Sequence, residues 1–193
     1  MARPKEFTEN TALERAIDTF WKKGYHSTSM QDLVDSMGIN RASLYGTFGD
    51  KRQLYLKALE TYRETTASEL AGAIADEPSH REKIRLILRH MVADSLQDPD
   101  GKGCFFTNAT LEMLPHDEAV DAIVCGNSRA MSAMLGNIIR AAQERGEISA
   151  EASPESLAHF VQCNINGLRV MAKTRPPARQ LYAVVEQVMR VLS

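Results

Sequence analysis

Cys104 stands directly after Gly103 and two residues beyond Lys102, at a place where a helix is expected to begin. A helix N-terminus with a cation nearby stabilises a thiolate, so the position suits a reactive thiol; a small buried hydrophobe is the other reading of the same residue. Cys125 and Cys163 have no comparable neighbours, and three widely spaced cysteines form neither a disulfide framework nor a Cys-x-x-Cys metal site. The five histidines, His26, His80, His90, His116 and His159, include no pair at the four-residue spacing that would place two ligands on one helix face. His90 on a helical segment reads as a solvated or hydrogen-bonded side chain. There is no Gly-x-Ser-x-Gly elbow, no phosphate-cradling glycine loop after a strand and no His-Glu-x-x-His. The chain is therefore expected not to be an enzyme, and to need no cofactor and no metal.

The scaffold that must position any remaining chemistry is helical by composition. Of 193 residues, 44% are hydrophobic and 25% charged, which excludes a disordered or fibrous chain. Aromatics are only 6%, while Leu, Ala, Met and long charged residues abound, which favours helices packed on helices. The net charge of -2 gives no bulk affinity for nucleic acid. Residues 1–65 hold 10 basic against nine acidic residues, but Arg3, Lys5, Arg41, Lys51 and Arg52 fall at segment ends, where a local basic face can form. No stretch approaches the ~18 apolar residues needed to span a bilayer, and Met1-Ala-Arg-Pro-Lys-Glu has no apolar signal core. A cytoplasmic protein without a membrane partner is expected.

Apolar residues at Leu13, Ala16, Ile17, Phe20 and Trp21 draw one stripe on a first helix that Gly24 stops. Thr11 with Glu14 reads as its capping box, with Thr8 as an earlier start. Thr28 with Gln31 reads as a second box, opening a short helix through Met30, Leu33, Val34 and Met37 that ends at Gly38. Asn40 caps a third, in which Leu44 and Phe48 share a face. Two short helices about a turn of roughly three residues containing glycine are the layout of a helix-turn-helix. Asp50 and Gln53 open a long helix with Leu54, Tyr55, Ala58, Leu59 and Tyr62 on its apolar side, running to about Ala75. Further helices follow from Ser79, from Cys104, from Asp117 to Arg145, from Ser153-Pro154, and from Ala178 to Leu192, separated by the Asp98–Gly103 loop, Gly146 and Arg175-Pro176-Pro177. The last is apolar enough to need covering, by its own core or by a second subunit.

The segment from Ala12 to Tyr62 strongly resembles the DNA-binding domain of the TetR/AcrR family of transcriptional regulators. The resemblance rests on Phe20 followed by Gly24-Tyr25, on Thr28-Ser29-Met30, on Gly38-Ile39, and on Leu44-Tyr45 with Phe48 and Lys51, about a quarter of the chain. It implies an N-terminal three-helix domain over residues 1–50 and a helical ligand-binding and dimerisation domain over 51–193, with about nine helices. It also implies a cytoplasmic, homodimeric repressor of a palindromic double-stranded DNA operator, released by a small-molecule effector.

Carried over residue by residue, Thr28 and Tyr45 would hold phosphates, Arg41 a phosphate or guanine edge, and Ala42 and Ser43 would face bases. Thr47 would lie near a phosphate, Lys51 would pin the other side of the groove, and Arg3 and Lys5 would reach into the minor groove. The helix beginning at Asn40 would present its N-terminal turn, whose N–H groups favour phosphate. Gly46 departs from the larger side chain common in the family, leaving fewer base-reading groups. In the regulatory domain Lys102-Gly-Cys-Phe-Phe-Thr-Asn108 resembles a segment of some members. The candidate effector pocket is Leu88, Met91, Cys104, Phe105, Asn108, Met113, Met131, Met134, Phe160 and Asn164, methionines suiting an adaptable apolar cavity. Two alternatives stand beside this one: the same fold sensing oxidants or electrophiles through Cys104, and a helical carrier or enzyme.

Overall fold

The computed structural model describes residues 9–193, among which there are nine α-helices and no strand. In chain order they are α1 (Glu9–Lys23), α2 (Met30–Met37), α3 (Arg41–Phe48), α4 (Lys51–Ile74), α5 (His80–Leu96), α6 (Phe105–Met113), α7 (Glu118–Glu144), α8 (Pro154–Ala172) and α9 (Ala178–Val191). The all-α expectation holds. Arg3, Lys5 and Thr8 lie outside the described residues.

Local chemistry sets most of the helix ends, with two departures from the expected caps, at α1 and α2. α1 is already helical at Glu9, so Thr11 and Glu14 are interior residues and not a capping box. At α2 the box is one residue later than Thr28–Gln31: Ser29 Oγ accepts from Asp32 N–H at 3.0 Å, and the Asp32 carboxylate accepts from Ser29 N–H at 2.8 Å. The reason is burial, since Thr28 is turned inward, 1% exposed, and its hydroxyl donates to the Gly24 carbonyl at 2.6 Å. At α5 Ser79 is the cap, as expected: its Oγ accepts from Glu82 N–H, while its own N–H donates to Glu77. Asn40 caps α3 by accepting from Ser43 N–H at 2.8 Å, and Asp50 and Gln53 form the expected reciprocal box at α4. Gly38 ends α2 at φ 69°, the left-handed region that side chains resist.

The helices divide between two compact units. The first takes the described residues up to Glu64 together with Asn108–Val124, and the second takes Thr65–Thr107 and Cys125–Ser193. In the first, Ala12, Leu13, Ala16 and Phe20 of α1, Leu33 and Met37 of α2, Leu44 and Phe48 of α3, and Leu54, Tyr55, Ala58 and Leu59 of α4 are buried. Phe20 meets Tyr55 edge-on at 5.0 Å between centroids, and Trp21 meets Tyr62 at 4.9 Å. In the second unit, Ile84, Ile87, Leu88, Met91 and Val92 of α5 pack into one cluster with Leu135 and Ile139 of α7, Leu157, Val161, Ile165 and Leu168 of α8, and Leu181, Val185, Val188 and Met189 of α9.

Three ion pairs tie the first unit across its surface, one of them Lys57 with Glu9. Arg52 donates from Nε and Nη2 to the two carboxylate oxygens of Asp117, each at 2.8 Å. Asp117 also accepts from the N–H groups of Ala119 and Val120 and so caps α7. Lys23 pairs with Asp32 at 2.5 Å. The Arg52 guanidinium holds the Asp117 carboxyl below the ordinary carboxylate range, and the Lys23 hydrogen bond, helped by Ser29, does the same for Asp32. A group whose pKa is depressed by folding stabilises the fold above its unfolded pKa, about 3.9 for Asp, and that contribution is lost as pH falls through the folded value. The melting temperature of the wild type is therefore expected to fall more steeply between about pH 5 and 3 than that of Asp117→Asn, which keeps the cap but not the ion pair. Parallel acid profiles would remove this role for Asp117.

Candidate nucleic-acid interface

The first unit presents α3 as a helix with one buried and one open side. Leu44 and Phe48, four residues apart, are buried, which turns Arg41, Ala42, Tyr45, Gly46 and Thr47 outward and leaves Ser43 half-buried. Tyr45 is 49% exposed, a large aromatic surface to leave open. Arg41 makes no ion pair among the described residues. A Cβ added at Gly46 would meet no heavy atom within 4 Å, so packing does not demand glycine there. This side of α3 can offer a guanidinium, a phenol, hydroxyls and bare backbone to a polyanion.

The neighbouring cations have different fates. Lys51, the first residue of α4, lays its ammonium over the Tyr25 ring, 4.4 Å from the centroid. Burial lowers its pKa, and the negative charges of Glu112 and Asp32 oppose that shift. Arg52 is engaged with Asp117 and is not part of an open basic face.

Tyr25 is itself held from a distance in sequence. α1 stops at Gly24, φ 81°, and the next two backbone N–H groups are taken by Glu112 near the end of α6: Tyr25 N–H donates to Oε2 at 2.8 Å and His26 N–H to Oε1 at 2.7 Å. Gly24 is favoured by its φ, and an added Cβ would lie 2.7 Å from Glu112 Oε2 and so displace that carboxylate. The Tyr25 ring also packs against Tyr55 at 4.9 Å.

Among the described residues the expected DNA contacts thus all fall in the first unit, with the Thr28 hydroxyl turned inward, while Arg3 and Lys5 lie outside the described residues. Asn40, Arg41, Ala42, Ser43, Tyr45, Thr47 and Lys51 all lie on or beside α3 in chain order. Thr28 does not offer its hydroxyl, which is buried, and the exposed hydroxyl at the start of α2 belongs to Ser29. The Ser29-x-x-Asp32 spacing was a signal for this, equal in form to the Thr28 pattern. Glu112, by contrast, left no sequence signal.

The expected effector residues separate. Leu88 and Met91 are buried in the core of the second unit, with Met131 and Met134 packed partly against it. Phe105 is buried at the start of α6. Asn108 and Met113 belong to the first unit. Phe160 and Asn164 do not join Leu88 and Met91: they line a groove on the outer side of α8 with Ala183, Val184, Gln187, Val188 and Val191 of α9. Met171 is exposed as well, because α8 packs through Leu157, Ala158, Val161, Ile165 and Leu168. Arg169 of α8, unforeseen, is buried and donates to Met91 Sδ at 2.8 Å, with Asp94 at 3.3 Å. Cys104 is half-buried just before α6. Lys173 packs on the adjoining Gly103 and donates to the Lys102 carbonyl at 3.3 Å. Among the described residues no group of side chains could hold a metal ion, and no helix is long and apolar enough to cross a membrane.

Comparison with known proteins agrees with this arrangement. The model of bacterial regulatory proteins of the tetR family matches residues 12–58, and that of the tetracyclin repressor-like C-terminal domain matches residues 81–188. The chain is 32% identical over 194 residues, the whole length of both, to the uncharacterised HTH-type transcriptional regulator YezE of Bacillus subtilis strain 168. It is 26% identical to the HTH-type transcriptional repressor ComR of Escherichia coli K12, over 98% of this chain and 90% of that one. A cysteine-substituted form of the TetR family regulator CifR, solved with 26-bp double-strand operator DNA, superposes with a TM-score of 0.88 at 34% identity, covering 99% of this chain and 100% of that one. The chain therefore belongs to the TetR family and is a DNA-binding transcriptional regulator.

Proposed function

We propose that the protein is a cytoplasmic homodimeric repressor, without catalytic activity, whose two heads grip successive major-groove faces of a palindromic operator. The observation that carries this reading is α3, capped by Asn40 and buried through Leu44 and Phe48, with its other side open. In this reading Arg41 takes a guanine edge or a phosphate, and Ala42 and Ser43 face bases. Tyr45, Thr47, Lys51 and the exposed Ser29, in place of Thr28, hold phosphates. Arg3 and Lys5 serve as a minor-groove arm. With Ala42 and Gly46 offering little to base edges, much of the discrimination falls to Arg41, Ser43 and DNA shape.

The second subunit is proposed to cover the α8–α9 groove. Phe160, Val184 and Val191 line it, Val191 is 58% exposed, and an apolar strip of this kind on two adjacent helices suits an isologous contact. The regulatory region is assigned to residues 51–193, with a small apolar effector taken up near Met91, Met131 and Met134. Such a ligand releases DNA only if it binds the two head spacings with different affinity. A second reading, modification of Cys104, is favoured by its partial exposure at the start of α6 and by the lysine at the adjoining turn. If it holds, Cys104→Ser abolishes release by oxidants.

Selection of duplexes from a random library at ~150 mM salt is expected to return one palindromic motif. Arg41→Ala is expected to relax one position of each half-site at a cost of roughly 1–3 kcal/mol. No enrichment would sink the regulator's proposed operator, and an unchanged motif in the variant would remove direct readout by Arg41. Phe160→Glu or Val184→Glu is expected to give a monomer in sedimentation and to lose the palindrome, because each head then binds alone. A variant that stays dimeric would place the interface elsewhere.

A further inference from the structure

Glu112 is joined to the proposed DNA-facing surface by a short chain of contacts. The two N–H groups that follow α1 point away from its ladder, since Gly24 N–H makes the closing bond to Phe20 and the next internal bond is Thr28 N–H to Tyr25. Both are taken by one carboxylate, an oxygen for each, so the position and the orientation of the turn are set together. The turn carries the Tyr25 ring, and the ring carries the Lys51 ammonium. Lysine has a long stem with many rotamers, so an ammonium already seated costs less ordering when a phosphate arrives. Glu112 also lies close enough to Lys51 to oppose the loss of its proton.

Resting on the DNA-binding reading above, we infer that Glu112 is a positioning residue for operator binding: through the turn it clamps and the Tyr25 ring, it seats Lys51 for a phosphate without touching DNA itself. The sign of its effect separates this from simple electrostatics. A carboxylate that only repelled phosphates would tighten binding when removed, whereas a positioning carboxylate weakens it.

The test is operator affinity of the full-length protein against salt concentration. Each phosphate contact contributes about 0.9 to the slope of log affinity against log salt. Lys51→Ala is expected to lower the slope by about that amount per head, and Glu112→Ala by a similar amount with about tenfold weaker binding per head. The Glu112→Ala, Lys51→Ala double variant should bind no worse than Lys51→Ala alone. Because Glu112→Ala could loosen the fold, Tyr25→Leu removes the ring while leaving the backbone clamp; it should lose the same slope, and Tyr25→Phe should keep it. Unchanged or tighter binding by Glu112→Ala, additive losses in the double variant, or a normal slope in Tyr25→Leu would each overturn the inference. Absence of salt-dependent binding by the wild type would overturn the DNA reading and this one together.

Discussion

Two helices of eight residues each cannot hold themselves in water: α2 and α3 fall below the length at which an isolated helix is stable. Their persistence depends on burial of Leu33, Met37, Leu44 and Phe48 in the first unit, alongside the apolar sides of α1 and α4. That single constraint decides which faces remain open. With Leu44 and Phe48 committed inward, the outward side of α3 is made of the residues before and between them, and in this sequence those are Arg41, Ala42, Tyr45, Gly46 and Thr47. Caps then cut the pair to length. Ser29 and Asp32 start α2, Gly38 ends it and Asn40 restarts the chain, so the turn between the helices needs only Gly38, Ile39 and Asn40.

The aromatic side chains of the first unit serve both packing and charge. Phe20, Tyr25 and Tyr55 bring their rings within 4.9 to 6.3 Å of one another, filling the space that short helices leave. The outer face of Tyr25 then supports the Lys51 ammonium, so the apolar cluster and the cationic surface meet at one ring. Cations elsewhere in the unit are spent on ion pairs, Lys23 with Asp32, Arg52 with Asp117 and Lys57 with Glu9. A head of nearly balanced charge thereby keeps Arg41 and Lys51 for other use.

The second unit has a different economy. Its buried cluster is almost wholly aliphatic and draws on α5, α7, α8 and α9. Four helices with wide apolar stripes cannot all turn every apolar residue inward at once. α8 buries Leu157, Val161 and Leu168 and leaves Phe160, Val170 and Met171 exposed, and Val191 on α9 is exposed likewise. The surplus is the covering problem already visible in the apolar last helix. Arg169, inside the same region beside Met91 and Asp94, is the one buried guanidinium of the described residues.

Helices and their ends were legible from the chain because apolar period, caps and glycine act over a few residues. Ile84, Ile87, Leu88, Met91 and Val92 of α5 and Leu54, Tyr55, Ala58, Leu59 and Tyr62 of α4 are buried at helical spacing, and the family resemblance rests on the same short-range pattern. Choices between adjacent candidates were not legible: Thr28 and Ser29 carry equivalent hydroxyls, and only the buried bond from Thr28 to Gly24 leaves the cap to Ser29. Nor could spacing say which of two apolar sides of α8 turns inward, since that depends on what packs there. Least legible were the partners of Tyr25 and Arg52. Glu112 is 87 residues from Tyr25 and Asp117 is 65 from Arg52. Such pairs arise only when the chain returns to its own beginning, because a hydrogen bond depends on the ångström-scale placement of two groups and leaves no period in the sequence that supplies them.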